Sequence, residues 1–176
     1  MNLKQALLEE HSKSQCNKIV AYIASNKDRF AELMKLFFGK EYRLTQRAAW
    51  PMSYCVHNHP QLIAPYFKRL LDKLRKPNEH QAVLRNTLRL LQDVDIPSRF
   101  HGQLMSACFE FIQSNETAVA IKAFALTVLQ NLSKQYPEII PEIKMIIEER
   151  WEHETAAFRS RAKNFLKGNL GKGSDP

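Results

Sequence analysis

The chain has 176 residues, of which 44% are hydrophobic and 25% are charged, and its formal net charge is +8. This length suits one domain with a sizeable core, and the composition is ordinary for a soluble globular protein. No apolar run approaches the roughly 18 residues of a membrane span, and the first residues lack the apolar block of a signal peptide. The scarcity of glycine and the lack of alternating, strand-like runs favour an all-helical class.

Three scattered cysteines, Cys16, Cys55 and Cys108, lie in apolar helical contexts and in no paired motif. We therefore expect small buried thiols rather than a disulfide framework, and a reduced, cytoplasmic setting. The basic net charge favours a nucleic-acid or acidic partner, although charge informs association and not fold.

The N-terminal part predicts three amphipathic helices. Leu3 to Glu10 forms the first, and Ser12 to Gln15 has the spacing of a capping box that starts the second. The third is stopped by Gly39. The expected core residues of the second and third helices are Cys16, Ile19, Val20, Ile23, Phe30, Leu33, Met34, Phe37 and Phe38.

From residue 40 onward, a unit of two helices recurs. Each full copy has a basic residue in its first helix, and a proline opens the second, where its missing N–H is tolerated. A half copy, which carries only the basic residue, closes the chain. The basic residues are separated by 38, 37 and 39 residues: Arg47, Arg85, Lys122 and Arg161. The prolines are Pro60, Pro97 and Pro137. A two-helix repeat near 38 residues is typical of an α-solenoid, and unrelated amphipathic helices with coincident arginines and prolines are the alternative.

The clearest copy runs from Asn115 to Trp151. We expect Asn115 to cap a helix with one apolar stripe and Tyr136-Pro137 to end it. The second helix of this copy carries a stripe of isoleucines at helical period, and neither helix can bury its stripe alone. The isoleucines are Ile139, Ile140, Ile143, Ile146 and Ile147.

Segments of two copies resemble HEAT-type repeats: Arg47 to Trp50 with His59 to Tyr66, and Lys122 to Leu126 with Tyr136 to Pro141. The resemblance covers roughly residues 40 to 167. It implies an all-α, right-handed α-α superhelix of about four to five antiparallel helix pairs, which mostly serves as a protein-binding scaffold. We expect one helical-repeat domain over residues 1–168 and a flexible polar tail over residues 169–176.

The residue types that carry chemistry form no convincing constellation. His57 and His59 are a close histidine pair, but residues two apart on a helix face different ways, so we expect a polar helix end before Pro60 rather than a metal site. A nucleophile arrangement of Cys55 with His59 is a weaker alternative, because the chain supplies no orienting group. The sequence predicts no catalytic residue, no metal and no cofactor.

Basic side chains supply the candidate binding residues, which are Lys68, Arg69, Lys73, Arg85, Arg89, Lys122 and Arg161. If stacking aligns the repeat positions, they form a ladder that tracks phosphates; alternatively, they pair with acidic neighbours. We expect the proline-led second helices to form a concave binding surface. The leading partner is a protein, nucleic acid is the alternative, and neither a membrane nor a small-molecule substrate is inferred.

A third option comes from HEAT-like DNA glycosylases, which hold a duplex on a concave basic face and use tryptophans and a catalytic aspartate. This chain has only Trp50 and Trp151, and both fall on apolar stripes where we expect core packing. No aspartate stands beside either one. The leading interpretation is therefore a non-enzymatic binding module.

Overall fold

A computed structural model describes residues 1–169, and every regular element in that range is helical. The chain divides into two compact units, Met1–Leu90 and Leu91–Pro176. Each unit buries its own set of apolar side chains. Of the predicted tail, only Asn169 falls within the described residues.

The first unit contains five complete α-helices and nearly all of a sixth. They are α1 (Leu3–Glu9), α2 (Lys13–Ile23), α3 (Lys27–Phe37), α4 (Tyr42–Asn58), α5 (Phe67–Leu74) and α6 (Gln81–Leu91). The long helix α4 packs against α1, α2 and α3, and a 3₁₀ segment, Pro60–Tyr66, leads directly into α5. The predicted N-terminal helices are confirmed, and so is the end of α4 just before His59.

Short polar side chains start the first three helices. Asn2, Ser12 and Asn26 each accept a hydrogen bond from the backbone N–H three residues on, at 3.0 to 3.1 Å. The capping box predicted at Ser12 is only half formed, because the Gln15 side chain donates to the carbonyl oxygen of Ala6 at 2.8 Å. Gln15 therefore ties α2 to the end of α1 instead of closing the box.

The second unit contains α7 (His101–Gln113), α8 (Val119–Leu132), α9 (Ile140–Arg150) and α10 (Ala156–Gly168). Helix α8 packs against both α7 and α10. The 3₁₀ segments Ser98–Phe100 and Pro137–Ile139 precede α7 and α9, so the proline-led entry into the second helices is confirmed in this unit as well. The isoleucine stripe of α9 is buried at four of its five positions: Ile140, Ile143, Ile146 and Ile147.

One predicted helix start is wrong. Helix α8 begins at Val119 with Ala118 as its N-cap residue, so Asn115 does not cap it. The Oδ1 of Asn115 instead accepts a hydrogen bond from Nη2 of Arg150 at 2.9 Å. A charge-assisted hydrogen bond of this kind is stronger than a neutral one, which explains why the Asn115 side chain accepts from Arg150 instead of capping α8.

None of the helices among residues 1–169 is long and apolar enough to span a membrane.

Candidate binding surface

Two of the predicted binding residues have their charges engaged inside the second unit. Lys122 is only 4% exposed, and its Nζ donates to Oε1 of Glu154 at 2.6 Å. Arg161 donates to the hydroxyl of Thr127 and lies over the ring of Phe124, with 5.2 Å between Cζ and the ring centroid. The ion pair joins α8 to Glu154, which follows α9, and the contacts of Arg161 join α10 to α8. Both cations are therefore occupied by groups of the second unit.

Glu154 is the centre of a charged network. Arg150 also donates to Oε1 of Glu154, from Nε at 2.9 Å, and its Nη1 donates to the carbonyl oxygen of Gln113 at 2.6 Å. Burial by itself would raise the pKa of Glu154, but the hydrogen bonds and charges of Lys122 and Arg150 outweigh it. The pKa of Glu154 therefore lies below its ordinary value of 4.5, and the carboxylate stays ionised at neutral pH.

Arg47, the basic residue of the first predicted repeat, closes the end of α1. Its Nη1 donates to the carbonyl oxygens of Leu7 and Leu8, at 2.9 Å each. The last carbonyls of a helix have no partner within the helix, so a guanidinium here satisfies two acceptors at once.

Replacing Arg47 with methionine is expected to lower the free energy of unfolding by about 1–3 kcal/mol, because the two carbonyls lose a charged donor. Urea unfolding measures the change, and hydrogen exchange should show faster opening of α1. Arg43→Met is the matched control, since Arg43 is exposed on the same helix. Equal stability of the two variants would contradict the capping role.

The basic residues of α5 are compensated locally. Lys68 pairs with Asp72 at 2.6 Å, and the guanidinium of Arg69 lies 4.2 Å from the ring centroid of Phe38. Lys73 pairs with Glu79 at 2.7 Å. Burial favours a raised pKa for Glu79, yet its hydrogen bonds and the lysine charges lower the pKa overall.

Arg85 and Arg89 differ from the other five predicted residues. Within the part of the chain that the structure describes, the side chain of neither residue forms an ion pair or a hydrogen bond. Arg85 is partly buried and Arg89 is exposed. Both line a cleft of about 480 Å³ between α4 and α6, here named the α4–α6 cleft. Among residues 1–169, no acidic side chain lines this cleft, so the two positive charges at its wall have no counter-charge there.

Aromatic and amide side chains form the opposite wall of the α4–α6 cleft. Gln46, Trp50 and Tyr54 follow one another at four-residue steps on α4, so they share one face of that helix. Trp50 is partly buried and meets the ring of His11 edge to face, with 5.4 Å between centroids, and Tyr54 is 39% exposed. Trp50, for which core packing is expected, is thus partly buried and also lines the α4–α6 cleft.

Asn86 is the buried polar residue of the α4–α6 cleft. The residue is 6% exposed, and its Nδ2 has no hydrogen-bond partner among residues 1–169. A buried amide donor without a partner costs about 1–3 kcal/mol, so such a group calls for an explanation. Sequence reasoning missed Asn86 and Tyr54, although the four-residue spacing of Trp50 with Tyr54 was visible.

All three cysteines are buried, as predicted, and burial raises the pKa of Cys16 to about 11. Burial, and secondarily the nearby Cys16 thiol, raises the pKa of Cys55 to about 12. Both thiols are therefore protonated at neutral pH. Among residues 1–169, no group of three or more histidine, cysteine or acidic side chains is placed to hold a metal ion.

Comparison with known protein families identifies one whose model matches this chain. The family model described as HEAT repeat domain matches residues 3–169, which includes the N-terminal helices that the sequence resemblance did not cover. No curated protein and no solved structure matches the chain. HEAT repeat domains are typically protein-interaction scaffolds and are usually non-catalytic. The match and the pairwise-packed helices confirm the predicted all-α helical-repeat fold class. The chain therefore belongs to the HEAT repeat family.

Proposed function

We propose that this chain is a non-enzymatic binding module that recognises a protein partner, with residues 1–168 acting as a single helical-repeat domain. Its family supports this proposal, because HEAT repeat domains typically serve as protein-interaction scaffolds. The three buried free cysteines support a reducing, cytoplasmic setting.

One observation carries the proposal: the α4–α6 cleft brings two unpaired arginines together with Trp50 and Tyr54. Arginine, tryptophan and tyrosine are the residues most enriched where binding energy concentrates in protein interfaces. Lys68, Arg69 and Lys73 lie on α5 and do not line the cleft, and each already contacts a side chain of its own unit.

The experiment places a photoreactive benzoylphenylalanine at Tyr54, at Lys68 or at Met145 in the full chain. Met145 is 52% exposed on α9 and serves as the position away from the cleft. Irradiation in the cells that naturally make the chain should give discrete protein adducts from Tyr54 that survive nuclease treatment. Absence of protein adducts from every position would contradict the proposal.

Nucleic acid is the second candidate, and the net charge of +8 is the observation that favours it. Binding of a nonspecific duplex should then weaken steeply between about 50 and 200 mM salt, because neutralised phosphates release counterions. A chain that fails to bind the duplex at low salt would exclude this candidate.

A further inference from the structure

We infer that the α4–α6 cleft binds an acidic segment of a partner protein, whose carboxylates contact Arg85 and Arg89 and whose apolar side chain packs on Trp50 and Tyr54. The inference rests on the proposed function and adds the chemistry of the partner. Two features of the cleft support it: its charge and its aromatic wall.

The charge of the cleft calls for an anion. Arg85 and Arg89 lie one turn apart on α6, so their side chains emerge on the same face. The planar guanidinium matches a carboxylate with two parallel hydrogen bonds, and neither arginine has an acidic partner within the described residues. Two carboxylates from one peptide would satisfy both cations.

The aromatic wall calls for an apolar or planar group beside the anion. Trp50 and Tyr54 also lie one turn apart, on α4, and each keeps part of its ring uncovered. Uncovered aromatic surface gains from contact with an apolar side chain. An acidic residue with an apolar neighbour would therefore contact both the arginines and the partly exposed rings.

The cleft itself favours a peptide over a nucleic-acid strand. Tracking a phosphate backbone takes a series of free cations along the strand, since each neutralised phosphate contributes to affinity. Among the described residues, the wall of the α4–α6 cleft supplies two such cations, Arg85 and Arg89. Its volume of about 480 Å³ accommodates a few side chains, so a short acidic stretch of a protein matches it.

The test measures fluorescence anisotropy of three fluorescein-labelled probes with the full chain at low salt. The probes are an eight-residue peptide of alternating Glu and Leu, the corresponding Lys and Leu peptide, and an eight-nucleotide oligothymidine. We expect the acidic peptide to bind best. The double variant Arg85→Ala/Arg89→Ala should bind it about tenfold more weakly or worse.

The matched control removes the same amount of charge elsewhere. Lys18 and Lys35 are exposed on α2 and α3 and do not line the cleft. Lys18→Ala/Lys35→Ala should change peptide affinity by less than about twofold, as expected for screened surface charges. Circular dichroism checks that both double variants remain folded.

The inference and the proposed function can fail separately. The inference is overturned if the unmodified chain ignores the acidic peptide, if both double variants lose affinity equally, or if oligothymidine binds more tightly. Protein adducts from Lys68 with none from Tyr54 would also overturn it while leaving protein binding in place. Absence of protein adducts from all positions would remove the proposed function itself.

Discussion

Replacing Glu154 with glutamine is expected to lower the free energy of unfolding by about 3–5 kcal/mol, because it leaves a buried cation without its counter-charge. The side chains of Lys122 and Glu154 are 6% and 3% exposed, so solvent screens their attraction very little. Arg150 loses its carboxylate partner in the same variant. Urea unfolding followed by circular dichroism measures the loss.

Two further variants make this prediction sharp. Glu148→Gln removes a carboxylate from an exposed position on α9 and should change stability by less than about 0.5 kcal/mol. The double variant Lys122→Met/Glu154→Leu should recover much of the loss, because replacing a whole buried ion pair with apolar groups is often neutral or stabilising. Comparable losses of stability in Glu148→Gln and Glu154→Gln would contradict the stabilising role of the buried Lys122–Glu154 ion pair.

The same network gives the chain an acid-sensitive stability. The folded-state pKa of Glu154 lies below its ordinary value of 4.5, so the ionised form is stabilised by folding. This contribution is fully present above pH 4.5 and is lost as the pH falls through the folded pKa. Unfolding measured at a series of pH values should therefore decline less steeply below pH 4.5 in Glu154→Gln. Glu79, whose pKa is also lowered, accounts for part of the remaining decline.

Replacing Phe165 with alanine is the other change with a large expected effect, a loss of about 3–5 kcal/mol. Phe165 lies on α10, which packs against α8, and its side chain is completely buried. The substitution removes the ring's burial and leaves a cavity that rigid neighbouring helices fill only in part.

Thermal and urea unfolding measure this loss, and hydrogen exchange should show the largest increase in α10 and α8. Met145→Ala is the control, since Met145 is 52% exposed and its truncation creates no cavity. A loss below about 1 kcal/mol in Phe165→Ala would mean that α10 is not packed as described.

Sequence periodicity predicted the helices well because burial acts on one face of each. The isoleucine stripe of α9 and the proline-led entries into α5 and α9 follow from spacing and from the missing N–H of proline. The start of α8 was missed because Asn115 has two possible uses, and the contact with Arg150 spans 35 residues. The spacing of the residues around Asn115 contains no information about a hydrogen-bond partner so far along the chain.

The amino-acid sequence by itself determined the fold class, since the apolar period and the recurring prolines require helices that bury their faces against one another. Only the tertiary structure decided which cations are free for a partner. Lys122 and Glu154 are 32 residues apart in the chain, yet their pairing removes Lys122 from the surface, whereas Arg85 has no acidic partner among the described residues. The physical reason is that residue spacing determines which face of its own helix a side chain lies on. Only the packing of the helices determines which side chain of another element it contacts.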